Sequence, residues 1–387
     1  MRSPSPLSRR TLLKGGGSAL GILGLGLSMG GCAESALGGR EDGGGLSDAG
    51  FPRDADHLYD AHRPHDAGLP YDADIPYDAG ASPETDAGGP TDAGDTSEPD
   101  AGPPEEPIGP LTVTESGVVA GRMHYYRFST NQIAWRPAVN VLLPEDYATS
   151  SRRYPVLYLH HGGAQDFRKF HLDDDIIGLT RGRRLIVVMP DGGIAGWCSN
   201  PVRSLAGPKN WENFHIAQLI PWIDANFRTY AEYDGRAVGG FSMGGFGALK
   251  YAAKYYGHFA SVSSHSGPAS LRRDAGAVLQ WAEVSAKTAE LGGGTLYGEP
   301  FDQARVSADN PVERLDSFGY GKRIFMVVGT DLDINETPVR AGQREFSALL
   351  NSRGIRHEHH EVPGGHFVRR DLLQADIDGV IARLRRA

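Results

Sequence analysis

The 387-residue chain has only two cysteines, Cys32 and Cys198. That excludes a disulfide framework and a four-cysteine zinc site. Positive charge is also not in excess: 39 Lys and Arg face 48 Asp and Glu, for a formal net charge of −9. The deficit is local. Residues 1–32 carry Arg2, Arg9, Arg10 and Lys14 and no acid, whereas residues 33–110 carry 19 acids and 3 bases. The rest of the chain is therefore close to neutral. Without a strongly basic face, no nucleic-acid partner is expected. A long hydrophobic span is missing too. The apolar stretch Gly15–Gly31 is Gly-rich and about 17 residues long, a poor permanent membrane crossing. The length suits one large domain or two modest ones.

Ser8-Arg9-Arg10-Thr11-Leu12-Leu13-Lys14 before that stretch resembles a twin-arginine export signal. The stretch ends in Met29-Gly30-Gly31-Cys32, which resembles a lipobox. Residues 1–32 are thus expected to be a lipoprotein signal, with Cys32 carrying lipid after cleavage. The expected location is exported, periplasmic or cell-surface, with the membrane reached only through that anchor.

Residues 33–110 are built on Asp-Ala-Gly and close variants. Asp48, Asp54, Asp60, Asp66, Asp72 and Asp78 recur every six residues, and Asp86 and Asp92 continue after a slip of two. The residues between vary among Pro, Gly, Tyr, His and Leu, so no regular apolar position exists for a solenoid to stack on. Low hydrophobicity and high charge predict a disordered, self-repelling tether. The aspartates lack the close spacing of a calcium loop.

From Leu111 to the end (111–387) strands and helices alternate. Tyr154–Leu159 and Leu185–Met189 are continuous apolar runs, as in strands buried on both faces. Further strands are expected at 139–143, 237–241, 259–263, 324–328 and 357–362. Helices are expected at 214–227, 243–256, 340–351 and 371–384. This order implies an α/β fold with a mostly parallel sheet and helices on both faces. Residues 268–320 read as an irregular cap over the sheet's carboxyl edge.

Gly240-Phe241-Ser242-Met243-Gly244 fits G-x-S-x-G and lies between an expected strand and an expected helix. A sharp turn there lifts the Ser242 hydroxyl above the sheet edge, and small neighbours two residues away let strand and helix pass. A serine nucleophile needs a base. His366, after Pro363-Gly364-Gly365 and before the last helix, has that position. His357, His359 and His360 lie in the preceding strand, which alternation splits between two faces, and they lack an evident third metal ligand. The base in turn needs an acid. Asp331 and Asp333 both follow the 324–328 strand. Spacing does not separate them, and Asp331 is the nearer to the strand end. For the oxyanion, the N–H groups of Met243 and of Gly163, in the loop His160-His161-Gly162-Gly163, are the expected donors. Cys198 has no base near it in sequence and is not expected to be a nucleophile. Phe167, Phe170, Trp197 and Trp211 are candidates for an aromatic wall against a sugar or phenolic ester, or for core packing.

Read in order, Tyr154–Gly163, Val188–Gly193, Trp211–Phe214, Leu219–Trp222, Gly239–Gly245 and Pro363–His366 resemble the esterase D-like family of α/β-hydrolases. That family includes S-formylglutathione hydrolases, feruloyl and acetylxylan esterases and mycolyltransferases. The resemblance implies the α/β-hydrolase fold, a Ser-His-acid triad, and no metal or cofactor. The expected activity is carboxylester hydrolysis through an acyl-enzyme, on a small-molecule or polysaccharide-linked ester. Acyl transfer to a sugar or lipid hydroxyl, or a silent binding module on the same fold, are the alternatives. The chain departs from many relatives at Phe367-Val368-Arg369-Arg370, where a Trp often follows the histidine, and in a longer acid loop.

Overall fold

A computed structural model of the chain describes residues 107–385. The signal with Cys32, and nearly all of the acidic tether, lie outside these residues.

Nine strands form one sheet: β1 (Thr112–Ala120), β2 (Met123–Ser129), β3 (Ala138–Leu142), β4 (Val156–His160), β5 (Ile186–Pro190), β6 (Arg236–Phe241), β7 (Ser261–His265), β8 (Arg323–Gly329) and β9 (Glu358–Val362). Their spatial order is β1-β2-β3-β5-β4-β6-β7-β8-β9. The first three strands are antiparallel, and β3 joins β5 antiparallel. From β5 to β9 every neighbour is parallel. The apolar runs at β4 and β5 are buried at every residue, which is the reason they lack a polar alternate face.

The helices are α1 (Lys169–Leu172), α2 (Ile176–Leu179), α3 (Ile220–Asn226), α4 (Met243–Lys254), α5 (Arg273–Ala289), α6 (Gln303–Asp309), α7 (Glu336–Ser352) and α8 (Arg370–Arg383). A π-helical stretch, Asn213–Leu219, runs straight into α3. One core, around Val156, Val238, Leu249, Phe346 and Leu350, fills one sheet face. A second lies on the other face, where Leu373, Ile377, Val380 and Leu384 recur at helical spacing. The segment expected to be irregular, 268–320, holds α5 and α6. Its Val278, Leu279, Ala282 and Ala286 pack with Trp197, Met243 and Phe246 in a third cluster. The cap is therefore fastened to the start of α4. Among the described residues no helix is long and apolar enough to cross a membrane.

This topology decides where chemistry can occur. The chain leaves β4 toward β5 on one side and returns to β6 on the other. Loops following β4 and β6 thus diverge from adjacent strands and open a crevice at their carboxyl ends.

Candidate active site

Ser242 occupies that crevice. It follows β6 directly and caps α4, with φ 52° and ψ −119°, a conformation unusual for a side-chain-bearing residue. Its N–H donates to the His265 carbonyl at 2.9 Å, which ties the strained turn to β7. The flanking glycines are sterically required. A Cβ at Gly240 would overlap the backbone of Gly244, and one at Gly244 would overlap the carbonyls of His160 and His161.

His366 lies in the loop between β9 and α8. Its Nε2 is 2.7 Å from Ser242 Oγ, and its Nδ1 is 2.5 Å from Glu336 Oε2. Neither expected aspartate is the partner. Asp331 Oδ1 accepts from the Gly364 N–H at 3.1 Å, on the exposed side of the histidine loop. Asp333 Oδ1 accepts from the N–H groups of Asn335 (2.8 Å) and Glu336 (2.9 Å), capping the start of α7. The expectation of Asp331 or Asp333 is therefore corrected to Glu336. The cause is close packing. A Cβ at Gly329 would overlap the carbonyl of Gly364, so the end of β8 abuts the histidine loop. Asp331 bonds on the exposed side of that contact, Asp333 is engaged by the N–H groups at the start of α7, and the acid that meets His366 comes from the first turn of α7.

Glu336 is fully buried. Its Oε1 accepts from Ser266 Oγ at 2.7 Å and from the Gly329 N–H, leaving Oε2 for the histidine. A carboxylate so placed only accepts, so His366 Nδ1 carries the proton. The Nε2 lone pair then faces the Ser242 hydroxyl, which donates to it. This is the tautomer a general base requires.

The loop after β4 borders the same crevice. The Gly162 N–H donates to Gln165 Oε1 (3.0 Å), and the Ala164 N–H donates to the Ile194 carbonyl (2.8 Å). The intervening Gly163 is exposed, and its N–H meets no acceptor among the described residues. Met243, the first residue of α4, likewise has no intrahelical acceptor for its N–H. His161 fastens this loop to the one after β5. Its Nε2 accepts from the Gly192 N–H at 2.8 Å and its Nδ1 donates to the Gly162 carbonyl at 2.7 Å. Glu290 holds the far side of that second loop, accepting from Ile194 N–H (3.0 Å) and Trp211 Nε1 (3.1 Å).

Three metal-type donors do come together among the described residues: His160, Cys198 and His215, all buried, with ligand atoms within 4.8 Å. Hydrogen bonds already engage His215. Its Nε2 donates to the Asp191 carbonyl (2.7 Å), so its Nδ1 accepts from Tyr251 Oη (2.9 Å). Burial pushes the Cys198 thiol up to about 12, which keeps it protonated and a poor ligand or nucleophile. The donor set thus reads as packing beneath the crevice. Of the four aromatic residues weighed as a substrate wall, Phe170, Trp197 and Trp211 are buried in the cores, and Phe167 is half-buried beneath Arg127 and Arg168.

The family model named Esterase, described as "Putative esterase", matches residues 130–378. The chain belongs to the Esterase family. Esterase MT1326 and Esterase Rv1288, from two strains of Mycobacterium tuberculosis, are each 66% identical to it over a 279-residue alignment that covers 69% of this chain. The chain spans 60% of the length of these relatives. Among solved structures, S-formylglutathione hydrolase from Agrobacterium tumefaciens matches with a TM-score of 0.56 at 15% identity, covering 71% of this chain and 100% of that one. FphF, a fluorophosphonate-binding serine hydrolase of Staphylococcus aureus, matches with a TM-score of 0.54 at 17% identity, covering 70% and 99%. At such identities these likenesses establish the α/β-hydrolase fold of this Esterase-family member.

Burial of His215 sets an acid limit on the site's foundation. Burial holds its pKa down to about 4, below the ordinary 6.5. As pH falls from 6.5 toward 4, the unfolded chain takes up a proton that the folded chain refuses. Stability is therefore present above 6.5 and is lost on acidification, by about 3 kcal/mol over the window. Urea midpoints measured at pH 7.5 and 4.5 should fall in the wild type and fall less in His215→Gln. Equal pH slopes in the two proteins would show that His215 does not supply this term.

Proposed function

We propose that this chain is a serine carboxylester hydrolase. The observation that carries the reading is the unbroken chain of contacts from Ser242 Oγ through both nitrogens of His366 to Glu336. Ser242 Oγ attacks the ester carbonyl carbon while His366 Nε2 takes its proton. Gly163 and Met243 N–H groups hold the resulting oxyanion, which develops beside the positive end of α4. Collapse of that intermediate breaks the carbon–oxygen bond, and His366 returns the proton to the leaving alkoxide. A water then attacks the acyl-enzyme, giving its proton to His366, and the acid leaves as Ser242 regains its hydrogen. Glu336 steadies the imidazolium at both stages. No residue of this scheme calls for a metal or organic cofactor.

The ester belongs to a small molecule or to a polysaccharide-linked acyl group. On this proposal residues 1–32 direct export, Cys32 carries lipid, and residues 33–110 space the catalytic domain from the membrane. The test is covalent. A fluorophosphonate probe should label the wild type at Ser242 with one adduct per chain, located by peptide mass, and should leave Ser242→Ala unlabelled. Labelling of the alanine variant to the same extent would overturn the proposal.

A further inference from the structure

The cap brings an aromatic side chain to the triad. Trp281, on α5, has its ring centre 6.4 Å from that of His366, with the planes inclined at 66°. Phe241 also meets the His366 ring, at 5.1 Å, but it is buried in the core, whereas Trp281 is partly open to solvent. The helix that carries Trp281 is pinned, because Val278, Leu279, Ala282 and Ala286 on it are buried in the third cluster. Trp197 stands edge-on to Trp281 at 5.2 Å, and Trp197 is itself buried and tied through Nε1 to Ser285 Oγ at 2.9 Å. The Trp281 ring is thus held in place beside the histidine. Its indole N–H sets it apart. Trp197 donates to Ser285 and Trp211 donates to Glu290, as buried indoles do, but the Trp281 N–H meets no acceptor among the described residues. A partly open ring with a free donor, fixed next to the base, is placed to meet substrate.

The chemistry says which half of the ester it meets. The acyl carbon is bonded to Ser242 Oγ in the intermediate, and its oxygen lies with the Gly163 and Met243 N–H groups. The alcohol oxygen must come within hydrogen-bond reach of His366 Nε2, because it takes the proton back from that atom. Of the two halves, the alcohol is therefore the one that leaves along the imidazole, and a ring fixed beside the imidazole faces it. We propose that Trp281 is the specificity-determining wall of the alcohol subsite, and that it favours esters whose alcohol carries a ring. A ring lying on the indole gains apolar contact and the geometry of a stacked or edge-on pair, which a methyl group is too small to make. The inference rests on the serine-hydrolase reading and narrows it to the alcohol half of the substrate. Because the alcohol has departed once the acyl-enzyme exists, the preference is exerted in forming that intermediate.

The experiment uses the full chain and three esters: methyl acetate, benzyl acetate and methyl butyrate. The first two share an acyl group and have alcohols of similar leaving ability, so their ratio reads the alcohol subsite. Methyl butyrate against methyl acetate reads the acyl side. For the wild type, kcat/KM on benzyl acetate should exceed that on methyl acetate at least about tenfold. In Trp281→Ala that ratio should fall about tenfold, while the butyrate-to-acetate ratio stays within about twofold of the wild type. Trp281→Phe keeps a ring and should hold the benzyl-to-methyl ratio within about threefold. Trp281→Leu keeps apolar bulk against the cap without a ring and should lose about threefold or more, which preserves the test if the alanine variant does not fold. A wild-type benzyl-to-methyl ratio at or below one overturns the subsite. So does a Trp281→Ala or Trp281→Leu variant that lowers both acetates equally, or one that shifts the acyl ratio instead. Ser242→Ala is run beside them. If it still hydrolyses the esters, the hydrolase reading itself fails, which is a different result from an active enzyme blind to the alcohol.

Discussion

Glu336→Gln should lower kcat about 10⁴-fold on any ester, with KM little changed, because it reverses the tautomer of His366. The wild-type carboxylate meets three donors. Ser266 Oγ and the Gly329 N–H both approach Oε1, and the histidine approaches Oε2. A glutamine has one carbonyl oxygen to offer. Oriented to satisfy the two donors on the Oε1 side, it turns its amide NH2 toward His366 Nδ1. That nitrogen must then accept, so the ring proton moves to Nε2 and points at the Ser242 hydroxyl. The base is lost although every heavy atom stays in place. Asp331→Asn and Asp333→Asn should stay within about threefold of the wild-type kcat, since neither carboxylate touches the histidine. Replacing Asp333 with Ala should instead cost stability, about 1 kcal/mol for the lost cap. Steady-state kinetics on p-nitrophenyl acetate, with folding checked by circular dichroism, separate these outcomes. A loss beyond 10³-fold in either asparagine variant, with Glu336→Gln near wild type, would return the acid to the loop.

Why serine and histidine were legible in the sequence, and the glutamate was not, follows from what each position must satisfy. Gly240 and Gly244 are forced by backbone contact, so their spacing around Ser242 is a steric signature visible in one dimension. His366 stands alone between a strand and a helix, after two glycines that let the loop pack on the end of β8. The acid is constrained only by reach. A longer side chain starting one turn into a helix substitutes for a shorter one in the loop, and spacing does not encode that choice. A local signal did exist. Asp333-Ile334-Asn335-Glu336 has an acid capping residue three positions before a glutamate, and Pro338 suits a first helical turn. Reading those starts α7 before Arg340, with Glu336 in its first turn, and puts a carboxylate at the sheet's carboxyl edge. The parallel strands were legible because burial on both faces leaves continuous apolar runs. The edge strand β1 was not, because Thr112-Val-Thr-Glu-Ser116 is largely exposed and carries little apolar pattern. In α5 the buried Val278, Leu279, Ala282 and Ala286 form a narrow stripe, diluted by polar residues over a mostly solvated helix.

Ser242→Ala and His366→Ala should each lower kcat by about 10⁶-fold, and the double variant should be no worse than either alone. The 2.7 Å contact between Oγ and Nε2 makes the hydroxyl and the imidazole one functional unit: without the base the hydroxyl keeps its proton, and without the hydroxyl the base has no nucleophile to activate. Multiplying the single losses would predict a rate below that of the uncatalysed reaction. A residual acceleration of about 10³-fold over water should survive in all three variants. It would come from the Gly163 and Met243 N–H groups, which belong to backbone that neither substitution moves. Alanine at 242 removes a hydroxyl from a site only 5% exposed and keeps a Cβ in the strained turn, so the fold should persist. Rates on p-nitrophenyl acetate, corrected for the blank and for wild-type contamination by probe titration, give the cycle. Losses that multiply in the double variant would mean that the two side chains work independently, and a His366→Ala loss under tenfold would mean that another group takes the proton from Ser242.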